Sequence, residues 1–143
     1  MTRLSYDDVQ ALIRETDQLR AQLQYLIQQS QLLSDSIFDL EGSKASLKEI
    51  MNRAKGESML IPLGSQIMIS VILDSKETVL HDLGSNILKN IPIEESIKKI
   101  EARIDIFKKS SSTVSTQIYQ LENMIAQREN LLNQIVPASE ANK

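Results

Sequence analysis

The sequence predicts a mainly α-helical protein with a small β segment: a long antiparallel coiled-coil hairpin whose helices are separated by two β-hairpins, four strands in all. Three observations carry this. An apolar ladder with unbroken steps of three and four runs through Val9, Leu12, Thr16, Leu19, Leu23, Leu26, Ser30, Leu33, Ile37, Leu40, Lys44, Leu47, Met51 and Ala54. A second runs through Ile93, Ile97, Ile100, Ile104, Phe107, Ser111, Val114, Ile118, Leu121, Ile125, Arg128, Leu132 and Ile135, again without a phase slip. Between them, short apolar runs alternate with turn residues, as strands do.

The first helix is expected over 5–55. The Ser5 hydroxyl can cap the backbone N–H of Asp8, and Asp7 and Asp8 put negative charge at the positive end of the helix dipole. Gly42 lowers helix propensity by about 1 kcal/mol, but it falls opposite the seam and the ladder passes through it unchanged, which predicts a pliable helix and no break. One seam position is uniformly Leu12, Leu19, Leu26, Leu33, Leu40 and Leu47. The other admits Thr16, Ser30 and Lys44, polar residues that cost stability and set register.

Residues 57–91 change character. Gln66 to Leu73 (QIMISVIL) is β-branched and apolar on both faces, and predicts a buried strand. Met59 to Leu63, Thr78 to Leu83 and Asn86 to Ile91 are the other strand candidates. Turn signals stand at Leu63-Gly64-Ser65, Asp74 to Glu77 and Leu83-Gly84-Ser85-Asn86. Pro62 cannot donate to a sheet ladder, so its strand pairs on one side only. Four short strands cannot cover both faces of Gln66 to Leu73, and the surplus predicts that other subunits cover it. The residues assigned to oligomerisation are Leu60, Ile61, Leu63, Ile67, Met68, Ile69, Val71, Ile72, Leu73, Val79 and Leu83.

The second helix is expected over 92–136, opened by Pro92 with Glu94 and Glu95 in its first turn, and closed before Pro137. PASEANK at 137–143 reads as a polar tail. A connector at one end makes residues near 54 face those near 93, and residues near 12 face those near 135. The whole chain, 1–143, is then one domain.

Composition excludes several functions. The 143 residues carry 16 Lys and Arg against 19 Asp and Glu, a net charge of −3, so no general attraction for nucleic acid or anionic membrane is expected. The basic stretch Lys98, Lys99, Arg103, Lys108 and Lys109 is interleaved with Glu94, Glu95, Glu101 and Asp105, the pattern of a solvated helix face. With no cysteine, the chain fits a reducing cytoplasm and lacks thiolate chemistry. No apolar run approaches the ~18 residues that span a bilayer. His81 is the only histidine, so a zinc site or a Ser-His-acid triad lacks its parts. No phosphate-cradling glycine loop occurs. No catalytic residue, metal or cofactor is expected, and the chain reads as a non-enzyme.

Leu60-Ile61-Pro62-Leu63-Gly64 resembles the L-[VI]-P-L-[GT] strand of the α-type subunit of the prefoldin family. Val79-Leu80-His81-Asp82-Leu83-Gly84 is similar to the V-L-V-D-I-G strand and turn of that subunit, and two hairpins in place of one point to the α over the β type. His81 stands where relatives carry an apolar residue, and Leu88-Lys89-Asn90-Ile91-Pro92 departs from their usual strand end. The resemblance implies an ATP-independent chaperone: a hexamer of two α and four β subunits, with the hairpins forming a β-barrel body and the coiled coils projecting as arms. It further implies that the arm ends capture unfolded polypeptide and deliver it to a group II chaperonin. At those ends the apolar residues exceed a two-per-heptad seam, and Leu4, Val9, Leu12, Ile13, Leu131, Leu132, Ile135 and Val136 are the client-binding candidates. The alternatives are a non-chaperone coiled-coil scaffold, which would not need strands apolar on both faces, and a subunit of a prefoldin-like assembly complex.

Overall fold

The computed structural model describes residues 4–140, with side chains as far as Ile135. The order of elements is α1 (Tyr6–Met51), β1 (Ser58–Gly64), β2 (Ile67–Ile72), β3 (Thr78–Asp82), β4 (Leu88–Pro92) and α2 (Ile93–Glu140). The helices hold 46 and 48 residues. The chain divides into two compact units, one formed by the chain up to Asp35 with the chain from Lys108, the other by Ser36–Phe107.

In the first unit the two helical segments run antiparallel. Arg20 of α1 reaches Glu129 of α2 at 2.6 Å, and Arg128 reaches Glu15 at 3.4 Å. Thr16, a polar seam residue, is 1% exposed; its hydroxyl donates to the Leu12 carbonyl at 2.7 Å, so it enters the seam without an unpaired polar atom. Arg128 occupies its seam position half-buried, with its charge turned to Glu15. The α1 start is a reciprocal cap: the Asp8 N–H donates to Ser5 Oγ at 3.2 Å, while the Ser5 N–H and hydroxyl donate to Asp8 Oδ2 at 3.0 and 2.8 Å. Those two donors favour the charged form and hold the Asp8 carboxyl below its ordinary value.

In the second unit the most buried apolar residues are Ile91, Ile93, Ile97, Ile100 and Ile104. From Ile93 they stand at steps of four, three and four along α2, and Ile91 precedes them in β4. Lys44, the cation at a seam position of α1, meets Glu101 at 3.4 Å. Gly42 lies within α1, and a Cβ built there meets nothing within 4 Å, as expected for a glycine turned away from the seam.

Every ladder position from Val9 to Met51 and from Ile93 to Ile135 is buried or half-buried. The strand ends shift by one or two residues from expectation, and the helix ends differ in three places. Helix α1 stops at Met51, so Ala54 is an exposed loop residue and no seam member. Tight turns close the helix: the Asn52 and Arg53 N–H groups donate to the Glu49 and Ile50 carbonyls, the Ala54 N–H donates to Glu57 Oε2, and Gly56 takes a φ of 86°. Lys76 Nζ adds a donor to the Met51 carbonyl at 3.4 Å, a cation at the negative end of the dipole. Pro92 ends β4 instead of opening α2, which begins at Ile93. The tail expected from 137 is helical to Glu140, because a proline removes one backbone donor without obliging the helix to stop.

Candidate assembly and binding surfaces

The strands form two separate antiparallel pairs, β1 with β2 and β3 with β4. Both turns are built alike. Ser65 and Gln66 take φ values of 49° and 66° after Gly64, and Ser85 and Asn86 take 53° and 61° after Gly84. Two successive positive values make the primed turn whose twist suits a tight hairpin.

The register sorts the first hairpin into two faces. Met59 pairs with Val71 and Ile61 with Ile69, while Ser58 pairs with Ile72, Leu60 with Ser70 and Pro62 with Met68. Met59 and Val71 are half-buried. On the other face Leu60, Met68 and Ile72 are 64, 54 and 72% exposed. No charged residue occurs between Ser58 and Leu73, and Pro62 leaves β1 paired with β2 alone. The strand expected to be buried is thus bare in the single chain.

The second hairpin behaves differently. Val79 pairs with Ile91 and His81 with Lys89 on one face, and Leu80 with Asn90 and Asp82 with Leu88 on the other. The first face turns inward: Ile91 is 4% exposed, and His81 Nδ1 shares a 2.8 Å hydrogen bond with Ser96 Oγ of α2. Ser96 is 2% exposed, so this contact satisfies a hydroxyl with no access to water. An open concavity beside it is lined by Gly42, Ser43 and Ser46 of α1 and by Ile100 and Arg103 of α2.

Of the residues assigned to oligomerisation, Leu60, Ile61, Leu63, Ile67, Met68, Ile69, Ile72 and Leu83 are exposed, and Val71, Leu73 and Val79 are half-buried. Leu80, Ile87 and Leu88 are exposed too and were missed by the sequence reading. Their signal was alternation, Val79 and His81 inward with Leu80 outward, which only a known face could decode. Among the client-binding candidates Leu4, Ile13 and Leu131 are exposed, while Val9, Leu12, Leu132 and Ile135 are half-buried seam members. The Val136 side chain lies outside those described.

The charged groups are arranged for helix support. Arg20 joins Asp17 and Glu129, and the hydrogen bond with Glu129 chiefly raises its already high pKa. Arg53 joins Glu49 and Glu57, Glu49 being the main cause of its raised value. Among the described residues no cluster of His, Cys, Asp and Glu is placed to hold a metal ion, and no helix is long and apolar enough to cross a membrane.

A family profile described as "Prefoldin subunit" matches residues 8–138. Prefoldin subunit alpha 2 of Methanocaldococcus jannaschii is 26% identical over 125 residues, 85% of this chain and 80% of its own length. Prefoldin subunit alpha of Methanothrix thermoacetophila is 24% identical over 104 residues, 73% of this chain and 68% of its own. The cryo-electron microscopy structure of filamentous PFD from Methanocaldococcus jannaschii superposes with a TM-score of 0.58 at 26% identity, covering 87% of this chain and 95% of that one. Because the profile match begins in the first turn of α1, takes in both hairpins and ends near the end of α2, the chain belongs to the prefoldin family of chaperones, as a two-hairpin, α-type subunit.

Proposed function

We propose that the chain is an ATP-independent chaperone subunit that joins β-type subunits, two α with four β, through its hairpins and holds unfolded polypeptide at the ends of its coiled coil. The observation that carries the assembly is the bare, chargeless outer face of the first hairpin, Leu60, Met68 and Ile72. Exposed apolar surface of this kind is stable in water only when a partner covers it. The hairpins then form the β-barrel body that the family resemblance implies.

Client capture falls to the first turns of α1 and the last of α2. Exposed Leu4, Ile13 and Leu131 stand beside a seam already filled by Val9, Leu12, Leu132 and Ile135. One such patch is weak, since an unfolded client must be ordered as it binds. Several arms gripping one chain make each later contact intramolecular, so that weak sites hold together and release stepwise to a group II chaperonin without nucleotide. The setting is the cytoplasm. Deleting 1–13 with 131–143 is expected to keep the complex and lose most of its suppression of the aggregation of reduced, unfolded lysozyme. Undiminished protection would move the client site elsewhere.

A second reading is favoured by the filamentous relative, whose chain is covered almost end to end. The same hairpin faces would then join copies of this chain. The mass of the purified chain alone, by light scattering, separates the two: a discrete small species that enlarges only with β subunits supports the first, and long self-assembled polymers the second.

A further inference from the structure

We infer that a groove along the coiled coil of the first unit, away from the helix ends, binds a second stretch of the unfolded client, a neutral and apolar one; the inference rests on the chaperone reading above. The groove lies between α1 and α2 and forms a concavity of about 350 Å³. Its walls are Tyr25 and Met124, 61 and 39% exposed although they flank a coiled-coil seam. Half-buried Leu26 and Leu121 line it from the seam. Gln22, Gln117 and Gln120 complete it.

No lining residue carries charge, in a chain of which 24% is charged. That absence selects the occupant. A charged segment would lose water there and gain no counter-charge, whereas a neutral apolar one loses little. The glutamine amides both donate and accept, so they can serve the N–H and C=O groups that an unfolded backbone exposes. The methionine thioether adapts its shape to varied side chains, and tyrosine offers a broad apolar face with a polar end. The groove is thus suited to many sequences and to no charged one.

The test uses the assembled complex with a photo-crosslinking residue, p-benzoylphenylalanine, at Tyr25 or, separately, at Ile13, and reduced, unfolded lysozyme as the probe. Crosslinks to lysozyme are expected at both positions, and at Tyr25 also after deletion of 1–13 with 131–143. Tyr25→Glu with Met124→Glu in that truncated complex should weaken the residual binding roughly tenfold. Crosslinks at Ile13 with none at Tyr25 would overturn the groove and leave the chaperone reading standing. Silence at both positions would overturn both. A Tyr25 crosslink to another subunit, unchanged by lysozyme, would show the groove covered within the complex and would also overturn the inference.

Discussion

The two hairpins share a turn design and differ in what their faces meet. In the second, Ile91 is 4% exposed and His81 is tied to Ser96, so one face is spent on the chain's own packing. In the first, no residue is buried, and Leu60 and Ile72 are 64 and 72% exposed. Charge follows the same division: β3 and β4 carry Asp82 and Lys89, both exposed, whereas β1 and β2 carry none. A strand that water must solvate tolerates such residues; one that a partner will cover cannot bury them without counter-charges. The difference teaches that the second hairpin anchors to α2 while the first is left uncovered by its own chain, the condition that the assembly proposed above requires.

The largest test of this division is Ile91→Ala. Truncating a buried isoleucine should cost about 2–5 kcal/mol in urea unfolding, and a neutral result would mean that the second hairpin is no anchor. His81→Ala is next, at about 1–3 kcal/mol, since it strands the buried Ser96 hydroxyl. The paired change His81→Val with Ser96→Ala, which removes both polar partners, should cost less than His81→Ala alone. Failure of that rescue would assign His81 a role other than the hydrogen bond.

The turns offer a smaller contrast. Gln66 holds a left-handed conformation that asparagine, its counterpart Asn86, tolerates better. Gln66→Gly should therefore stabilise the chain by about 1 kcal/mol and Asn86→Gly by less, as read by thermal unfolding. Equal gains would show that the two turns are not strained differently. Smallest of all, Leu60→Ala should change the unfolding of the free chain by no more than about 0.5 kcal/mol, because the side chain already sits in water. A larger loss would mean that the first hairpin is packed within its own chain.

The helices were legible because a seam repeats: each ladder residue from Val9 to Met51 confirms its neighbours, so Thr16, Ser30 and Lys44 could be placed despite their polarity. The strand pairs were legible from Gly64 and Gly84, which mark turns wherever they stand. Helix ends were not. Ala54 continues the ladder in sequence, but the helix had already closed on the Glu49 and Ile50 carbonyls, a backbone event that side-chain periodicity does not encode. Pro92 suits both a strand end and a helix start, and only the pairing of Thr78 with Pro92 decides for the strand. The surface of the second hairpin was half legible. Leu80 and Leu88 differ from Val79 and Ile91 only in which way the pleat turns them, and the His81–Ser96 contact that fixes that direction joins residues 15 apart. The groove beside Tyr25 was legible only in part: the folded-back register already brings Leu26 opposite Leu121, but whether the side chains flanking the seam leave a concavity there is not set by the repeat.

The measurement closest to the central claim is the mass of the complex formed with β subunits by a chain carrying Leu60→Asp and Ile72→Asp, set beside one carrying Lys89→Ala in the second hairpin. The account predicts that the first pair of changes leaves only free subunits, with the helical far-UV signal retained, and that Lys89→Ala leaves the complex whole. A full-sized complex from the Leu60→Asp, Ile72→Asp chain would contradict it, because two charges cannot be buried on a face that assembly covers.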